Sequence, residues 1–242
     1  MTVARPSQRQ EHARSLFDSV AARYDGPASV FGLGQYGRWR AEMVSRLSLP
    51  RGARVLDVAT GTGLVAGDLA QTFDARVVGL DQSAEMLRRA SARGIPNFTA
   101  VRGDGQRLPF ADGVFDAVIH TYLLRYVDDP AATLVELTRV LGAGGRMASI
   151  EFGVPTNAAV RGAWTLYGTV LFPLFARTVS PGWREIGDFL AGSIATFDRD
   201  FPPSRLAGLW RDAGLEDIRI KRMSLGGGVV TWGRKNGGRQ HA

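Results

Sequence analysis

A glycine-rich turn, Gly61-Thr62-Gly63-Leu64-Val65-Ala66, is the feature that most constrains the fold. It follows the apolar segment Val55-Leu56-Asp57-Val58, which predicts a buried strand, and it runs into a helical pattern over 64–73. In a turn of this type the first glycine permits a tight bend, and the second lets a ligand approach the backbone. We therefore expect a parallel α/β sheet with a ligand at the carboxyl ends of its strands.

Predicted strands and helices alternate on both sides of this turn. The further strands are predicted over 76–80, 98–101, 115–119, 146–150, 216–223 and 229–232, and the helices over 83–92, 130–141 and 204–213. Helix-length connections favour a parallel sheet covered on both faces. The last two strands are joined by Gly226-Gly227-Gly228, which predicts an antiparallel pair. The fold class is thus a Rossmann-like α/β fold with a seven-stranded, mostly parallel sheet, an antiparallel last strand and a helical lid insertion.

Five segments follow from this pattern. We predict an N-terminal helical cap (1–50), a cofactor-binding core (51–151), an apolar helical lid (152–202), a final helix and β-hairpin (203–233) and a basic tail (234–242). In the cap, one helix is predicted over 9–25, ending before Gly26-Pro27, and a second over 36–47.

Between Phe152 and Trp183 the only charged residues are Arg161 and Arg177. This segment could pack as core, wall an acceptor pocket as a lid, or touch a membrane, and the sequence leaves all three open.

Residue counts exclude several kinds of site. The chain has no cysteine, so disulfides, a thiol nucleophile and Cys-ligated zinc are excluded. Its three histidines, His12, His120 and His241, are far apart in the sequence, and carboxylates do not cluster at ligand spacing. We predict no metal site.

The charge distribution bears on partners and location. The net charge is +7, but the arginines are scattered and no nucleic-acid-binding motif is present, so a nucleic-acid partner is not expected. The first 18 residues mix charges, unlike a secretory signal, and the uncharged run 162–176 is shorter than the roughly 20 residues of a membrane span. We expect a soluble, cytoplasmic protein. Peripheral membrane contact and the oligomeric state, a homodimer included, stay open.

Three carboxylates follow three successive predicted strands. Asp81 is placed to accept hydrogen bonds from both hydroxyls of a ribose, which fits either NAD or S-adenosylmethionine. Asp57 would repel a pyrophosphate but suits a cofactor that carries an ammonium and a sulfonium group. Asp104 can accept a hydrogen bond from an adenine amino group. Together with the glycines, these residues predict S-adenosylmethionine as the cofactor.

Catalytic candidates lie around the end of the fourth strand. His120 has an ordinary pKa of about 6.5 and would serve as a general base for a phenolic acceptor. Tyr122, Arg125 and Tyr36 could donate hydrogen bonds to the acceptor or stabilise a phenolate, and each could equally be a packing residue. Glu151, at the end of the fifth strand, is interpreted as structural.

Several longer motifs resemble the class I methyltransferases, and more narrowly the ubiquinone/menaquinone C-methyltransferase family. The resemblance extends over nearly the whole chain, and its motifs are residues 55–63, residues 79–87, Leu108-Pro109-Phe110, the start Phe17-x-x-Val20-Ala21-x-Arg23-Tyr24-Asp25 and the glycine-rich final hairpin. It implies transfer of a methyl group to a small hydrophobic acceptor, aromatic or prenylated. The cofactor contacts it implies fall on Thr62, Asp81, Asp104, Gly105 and Thr121, with Tyr24 near the cofactor. The other predicted cofactor-binding residues in these motifs are Ala59, Gly61, Gly63, Gln82 and Met86.

The acceptor side departs from the family pattern. Polar family residues are replaced at Ala28-Ser29, Gly32, Tyr36-Gly37 and around Tyr122. A quinone precursor methylated at carbon is the first choice of acceptor. A specialised-metabolite C- or O-methyltransferase and a phospholipid N-methyltransferase are the alternatives. A nicotinamide-dependent oxidoreductase would share the glycine turn, but Asp57 argues against it.

Overall fold

A single seven-stranded sheet organises the computed structural model, which describes residues 7–237. Its strands are β1 (Arg54–Val58), β2 (Arg76–Asp81), β3 (Phe98–Arg102), β4 (Phe115–Thr121), β5 (Leu141–Phe152), β6 (Leu215–Met223) and β7 (Gly228–Lys235). The strand order is β3-β2-β1-β4-β5-β7-β6. The pairs among β1 to β5 are parallel, and β7 runs antiparallel to both β5 and β6. The predicted fold class is confirmed.

Ten α-helices accompany the sheet within the described residues. They are α1 (Gln8–Val20), α2 (Asp25–Phe31), α3 (Gln35–Ser45), α4 (Leu64–Phe73), α5 (Ala84–Ser91), α6 (Pro130–Val140), α7 (Ala158–Leu166), α8 (Phe172–Val179), α9 (Pro181–Asp200) and α10 (Pro203–Asp212). A π-helical turn, Tyr167–Leu171, joins α7 to α8 without a break. Ser83 caps α5 as its sequence position suggests, because its hydroxyl accepts a hydrogen bond from the Met86 N–H.

Both faces of the sheet are buried, which explains why β1 is apolar on both sides. Leu56 and Val58 point to the face covered by α6 and α10, where they join a core cluster that contains Trp210. Val55 points to the other face, where it packs in a cluster with residues of α3 and α4 such as Leu69. Such two-sided burial is characteristic of parallel sheets.

The first segment of the chain is more broken than the sequence suggests. The predicted helix over 9–25 ends as α1 at Val20, and a 3-10 turn, Ala21–Arg23, leads into α2. Gly26-Pro27 does not terminate a helix but lies in the first turn of α2. Proline is tolerated there because the first N–H groups of a helix have no intrahelical acceptor.

The predicted basic tail starts later than expected. Arg234 and Lys235 belong to β7, where Arg234 forms an ion pair with Glu216 at 2.6 Å. The Lys235 ammonium donates to the carbonyl oxygens of Thr138 and Leu141, at 2.8 and 2.6 Å, at the end of α6. These bonds fix the last strand to the core. The rest of the predicted tail, from 238 to 242, lies outside the described residues.

Two helical segments meet over the carboxyl ends of the strands. Leu16 and Val20 of α1 share an apolar cluster with Phe172 of α8 and with Trp183 and Ile186 of α9. The residues up to α3 and the residues from α7 to α9 therefore form one cover, although more than a hundred positions separate them in the sequence. None of the described helices is long and apolar enough to cross a membrane.

His120 lies inside the sheet rather than at its edge. It pairs in register with Val58 and Ser149 on the neighbouring strands, is fully buried, and its ring lies 6.2 Å from that of Trp210. Among the described residues neither ring nitrogen has a hydrogen-bond partner. Burial lowers the pKa of His120 to about 3. The imidazole is therefore neutral in the folded protein at physiological pH.

This burial predicts a specific pH dependence of stability. Below its ordinary pKa of about 6.5, His120 takes up a proton in the unfolded chain but not in the folded one, so its contribution falls as the pH is lowered. Between about pH 7.5 and about pH 5 the free energy of unfolding of the wild type should fall by about 2 kcal/mol more than that of His120→Leu. Urea denaturation at the two pH values measures this difference.

The core variant Ile119→Val is the control for that experiment. Ile119 is the fully buried neighbour of His120 and does not titrate, so this variant should lose stability equally at both pH values. Equal pH dependence in the wild type and His120→Leu would show that the imidazole is not kept neutral by burial.

Candidate active site

A cavity of about 650 Å³ lies at the carboxyl ends of β1, β2 and β4, beneath the helical cover. This volume is within the ~300–1,000 Å³ typical of small-molecule sites. The glycine turn and the aspartates form one part of its wall, and aromatic side chains from the two helical segments form another. The cavity thus has a polar end and an apolar end.

The polar end depends on Asp81, the last residue of β2. One carboxylate oxygen accepts a hydrogen bond from the Gly61 N–H and the other from the Ser83 N–H, each at 2.9 Å. Burial raises the pKa of Asp81, and these two bonds oppose that shift. Since a carboxylate oxygen can accept more than one hydrogen bond, both oxygens keep capacity for a ligand.

The two glycines of the turn have different roles. Gly61 has a φ of +55°, and a Cβ added there would meet nothing within 4 Å, so its backbone borders open space in the cavity wall. Gly63 has a φ of +82°, and a Cβ there would lie 3.0 Å from that of Ala90. Gly63 does not line the cavity. The expectation that the ligand approaches Gly63 is corrected, because this glycine lets α4 pack closely against α5.

Most of the predicted cofactor residues do come together at the cavity. Those that line it are Tyr24, Ala59, Gly61, Thr62, Asp81, Gln82, Met86, Asp104, Gly105 and Thr121. Asp104 follows β3, and one of its oxygens accepts a hydrogen bond from the Gln106 N–H at 2.9 Å. Three of the four predicted catalytic residues, Tyr36, Tyr122 and Arg125, also line the cavity.

Asp57 is an exception and is corrected. Its side chain is fully buried behind the turn and does not line the cavity, because side chains alternate along β1 and this one faces α4. One oxygen accepts a hydrogen bond from the Thr60 hydroxyl at 2.7 Å, and burial raises the pKa of Asp57 to about 7. Asp57 therefore supports the turn from inside instead of contacting a cofactor.

His120 is the second exception. It does not line the cavity, whereas the next residue, Thr121, does, because alternate side chains of β4 point to opposite faces of the sheet. The neutral ring among apolar neighbours is out of reach of a ligand in the cavity. The prediction that His120 lies at the crevice as a general base is therefore corrected, and none of the described residues that line the cavity is a histidine.

The start of α2 covers the glycine turn. Asp25 accepts a hydrogen bond from the Thr62 hydroxyl at 2.6 Å and forms an ion pair with Arg93. The ring of Tyr24, beside it, stacks on Trp183 of α9 with centroids 5.8 Å apart. The Tyr24-Asp25 pair was visible as a motif, but no pattern in the sequence indicated Trp183 or Arg93 as its partners.

Aromatic rings surround the middle of the cavity. Tyr122 stacks on Phe152 with centroids 4.4 Å apart, and Tyr36 lies 6.0 Å from Tyr122. Burial raises the pKa values of Tyr24, Tyr36 and Tyr122 above their ordinary value. These phenols are therefore neutral near pH 7 and can donate hydrogen bonds.

Arg125 supplies a buried positive charge to this aromatic wall. Its Nε donates to Glu151 Oε2 at 3.3 Å, and the other Glu151 oxygen accepts from the Leu124 N–H at 3.1 Å. Burial alone would lower the pKa of Arg125, but Tyr126 and Glu151 raise it overall. Burial raises the pKa of Glu151 to about 7 against the opposing effect of Arg125. Arg125 Nη1 is buried and has no hydrogen-bond partner among the described residues.

No group of three or more carboxylate or histidine side chains that could hold a metal ion occurs among residues 7–237. The polar groups at the cavity include the carboxylates of Asp25, Asp81 and Asp104, a glycine turn with open backbone, and the Arg125 guanidinium with an unused donor. These groups suit an organic cofactor and an acceptor that bears oxygen.

Comparisons with known proteins agree with this geometry. The model of the ubiE/COQ5 methyltransferase family matches residues 5–235. The chain is 36% identical over 227 residues to a ubiquinone/menaquinone biosynthesis C-methyltransferase of Desulfotalea psychrophila, covering 91% of this chain and 89% of that protein. It is 38% identical over 216 residues to a demethylmenaquinone methyltransferase of Mycolicibacterium vanbaalenii, covering 89% and 90% of the two chains.

The fold also matches solved structures. A Thermotoga maritima S-adenosylmethionine-dependent methyltransferase, described as a possible histamine N-methyltransferase, aligns with a TM-score of 0.62 at 20% identity over 92% of this chain and 99% of that one. A chain from a putative methyltransferase complex of Haloferax volcanii aligns with a TM-score of 0.63 at 22% identity, over 94% of this chain and 99% of that one. The resemblance seen in the sequence motifs is confirmed: the chain belongs to the ubiE/COQ5 methyltransferase family and is an S-adenosylmethionine-dependent methyltransferase.

Proposed function

We propose that this methyltransferase methylates a ring carbon of a phenolic quinone precursor that carries an apolar tail. The observation that carries the proposal is the unpartnered Nη1 of Arg125, a buried cationic donor in the wall of an aromatic cavity. The relatives whose names specify quinone or menaquinone methylation support the same class of acceptor.

The polar end of the cavity fits the cofactor. Asp81 would hold the ribose hydroxyls with the acceptor capacity left on its two oxygens, and the open backbone at Gly61 would lie against the amino-acid portion. Asp104 and Gly105 would border the adenine, and Tyr24 would cover the cofactor from the side of α2. When bound there, S-adenosylmethionine supplies an electrophilic methyl group.

Arg125 would act on the acceptor. Its Nη1 would donate a hydrogen bond to the phenolic oxygen, and the positive charge would favour the deprotonated form of that oxygen. The phenolic proton would pass to water, and the phenolate makes the adjacent ring carbons more nucleophilic. As the ring carbon forms its bond to the methyl group, the bond between that methyl group and the sulfur would break and S-adenosylhomocysteine would leave. The methylated ring carbon would then lose its proton to water, which restores the aromatic ring. Glu151 acts through Arg125, since it holds the guanidinium by Nε and leaves Nη1 free. No histidine base is needed in this scheme.

The same charge discriminates between acceptor classes. An amine acceptor is protonated near pH 7, and a buried guanidinium in the cavity wall would repel it. The structure therefore favours the phenolic acceptor over the phospholipid amine. The apolar end of the cavity, with Phe31, Phe172, Leu190 and Ile194 in its wall, has the size and chemistry to hold an apolar tail.

The first prediction concerns the cofactor site. Asp81→Asn keeps the volume of the side chain but replaces one oxygen with an N–H donor that faces either a backbone N–H or the ribose. Binding of S-adenosylhomocysteine should weaken by roughly 2–3 kcal/mol, because charge-assisted hydrogen bonds are lost and buried donors are left unpaired. Isothermal titration calorimetry measures the change.

Asp116→Asn is the matched control for this variant. Asp116, at the opposite end of the sheet, also accepts a hydrogen bond from a backbone N–H, that of Arg54 at 2.8 Å. Its substitution should leave S-adenosylhomocysteine affinity unchanged. Wild-type affinity in Asp81→Asn would contradict the ribose placement.

The second prediction concerns the acceptor site. The double variant Arg125→Met, Glu151→Gln removes the cation without leaving a buried carboxylate unpaired, and the glutamine oxygen can still accept from the Leu124 N–H. The rate constant of methyl transfer should fall about 10²–10³-fold with cofactor affinity nearly unchanged. The ascending limb of the pH–rate profile, where the rate rises as the phenol loses its proton, should move up toward the phenol pKa of about 10, since Arg125 no longer favours the phenolate.

The control is Arg139→Met, Glu136→Gln on α6. That pair is joined at 2.8 Å, and its glutamate also accepts from a backbone N–H, that of Leu108 at 2.7 Å, but neither residue lines the cavity. This control double variant should keep the pH–rate profile of the wild type. If the pH profile of the Arg125 variant stays in place, Arg125 does not contact the reacting oxygen.

The third prediction concerns metals. Arg125 and the tyrosines provide the polarisation that a metal would otherwise supply, so turnover should be unchanged after dialysis against EDTA. Loss of the rate in chelator and its return on addition of magnesium would reveal a metal requirement.

A further inference from the structure

An apolar surface surrounds the cavity on its outer side. Nine of the ten large hydrophobic side chains that are exposed among the described residues lie in three segments at this end of the molecule, and only Val135 lies elsewhere. The nine, which we call the apolar patch, are Val30, Leu33, Leu166, Val170, Leu171, Leu174, Phe175, Val179 and Leu225.

Contacts join the three segments into one surface. The Tyr167 hydroxyl donates to the carbonyl oxygen of Phe31 at 2.6 Å, which places α2 against the π-helical turn. The ring of Phe31 also lies 4.6 Å from that of Phe172 in α8. Ser224, beside Leu225, donates to the Gln35 side chain at 2.9 Å. These contacts place the three segments of the patch next to one another although they are distant in sequence.

Six patch residues form a regular outward face. Leu166, Val170 and Leu174 are spaced by four residues, and so are Leu171, Phe175 and Val179, so that two adjacent rows cover one side of the continuous helix from α7 to α8. The opposite side holds the buried residues Phe172 and Ala176. The outward side of a surface helix is ordinarily polar, and soluble monomers rarely expose a contiguous apolar surface of this extent.

Basic side chains lie near the patch in the sequence. Neither 26–37 nor 152–183 contains an acidic residue. Arg38 of α3 and Arg161 of α7 lie close in sequence to patch residues, and among the described residues they bond to the Gln35 side chain and the Thr156 carbonyl oxygen, not to a carboxylate. Arg177 pairs with Asp188 of α9 at 3.3 Å. An apolar face with basic side chains in the same segments, two of them without a carboxylate partner among the described residues, is complementary to a membrane surface with anionic headgroups.

The patch is continuous with the wall of the cavity. Leu33 is 68% exposed and also lines the cavity, and Trp164, Tyr167 and Gly227 line it beside patch residues. We propose that the apolar patch binds a bilayer containing anionic lipid, with the cavity opening against the membrane so that an acceptor with an apolar tail enters without crossing water. The entry route rests on the proposed function, but the binding of lipid does not.

Vesicle cosedimentation of the full chain tests the proposal. The wild type should bind vesicles of phosphatidylcholine containing phosphatidylglycerol, and bind more weakly to phosphatidylcholine alone or at high salt. Leu174→Glu should reduce binding by about tenfold, because an apolar contact with the bilayer is replaced by a charge.

Val135→Glu on α6 is the matched control. Val135 is 55% exposed and Leu174 is 56% exposed, and both substitutions add the same charge, but Val135 lies outside the patch. Its variant should bind vesicles within about twofold of the wild type. Absence of wild-type binding, or equal loss in the two variants, would overturn the proposal.

Two further measurements distinguish membrane binding from self-association and from damage to the cavity. If Leu174→Glu turns a wild-type dimer into a monomer in sedimentation equilibrium and still binds vesicles, the patch is an interface between two copies of the chain and the proposal is wrong. Turnover of a water-soluble phenolic acceptor without a tail should be equal in the wild type and Leu174→Glu, since Leu174 does not line the cavity. Failure of the wild type to methylate any phenol would refute the proposed function and leave the vesicle result standing.

Discussion

The bond from the Gly61 N–H to the Asp81 carboxylate is the constraint on which the cavity depends. It joins the turn after β1 to the end of β2, so the two neighbouring strand ends have fixed relative positions. The carboxylate is buried at a cost, and the N–H groups of Gly61 and Ser83 offset that cost while its oxygens keep further capacity to accept hydrogen bonds in the cavity wall. Asp57 supports the same turn from inside through Thr60. The polar end is therefore organised before any ligand binds.

The apolar end is organised differently, by packing between segments that the sequence keeps apart. The two helical segments meet through rings such as Tyr24 on Trp183 and Phe31 on Phe172, and they share one apolar cluster. Arg125 lies over the rings of Tyr126 and Phe152, and these aromatic faces and its ion pair with Glu151 make its burial tolerable. In the proposed function this charge acts on the acceptor, and in the proposed membrane contact the outer face of the same cover faces lipid. In these two proposals the same layer of helices lies between the cavity where methyl transfer takes place and the apolar interior of the membrane.

The end of the fourth strand shows how small a step in sequence separates a buried residue from a cavity residue. His120 points into the core beside Trp210, and Thr121 points to the cavity. Tyr122 then adopts a left-handed φ of +57° and donates its N–H to Ile150 at 2.8 Å, which turns its ring onto Phe152 in the cavity wall. A prediction that placed His120 at the edge was wrong by one position. The position of a strand's last residue is the least certain feature of a sequence pattern. Here it decides which side chain is buried in the core and which one lines the cavity.

The sequence by itself determined the sheet, the glycine turn and most of the residues at the polar end, because these depend on local periodicity and on a turn whose spacing allows few conformations. The turn alone fits NAD as well as S-adenosylmethionine, so the cofactor class rests on the family motifs and not on the turn. It also identified Tyr36, Tyr122 and Arg125 as candidates without showing that they face one cavity. Only the tertiary structure decided that Asp57 and His120 are buried away from the ligand, that Gly63 serves helix packing, and that Trp183 and Arg93 approach Tyr24 and Asp25. The reason is physical: strand alternation fixes which side chains share a face, but which face borders the cavity depends on where each strand ends and on how distant helices dock over the sheet, and that docking is not encoded by neighbouring residues.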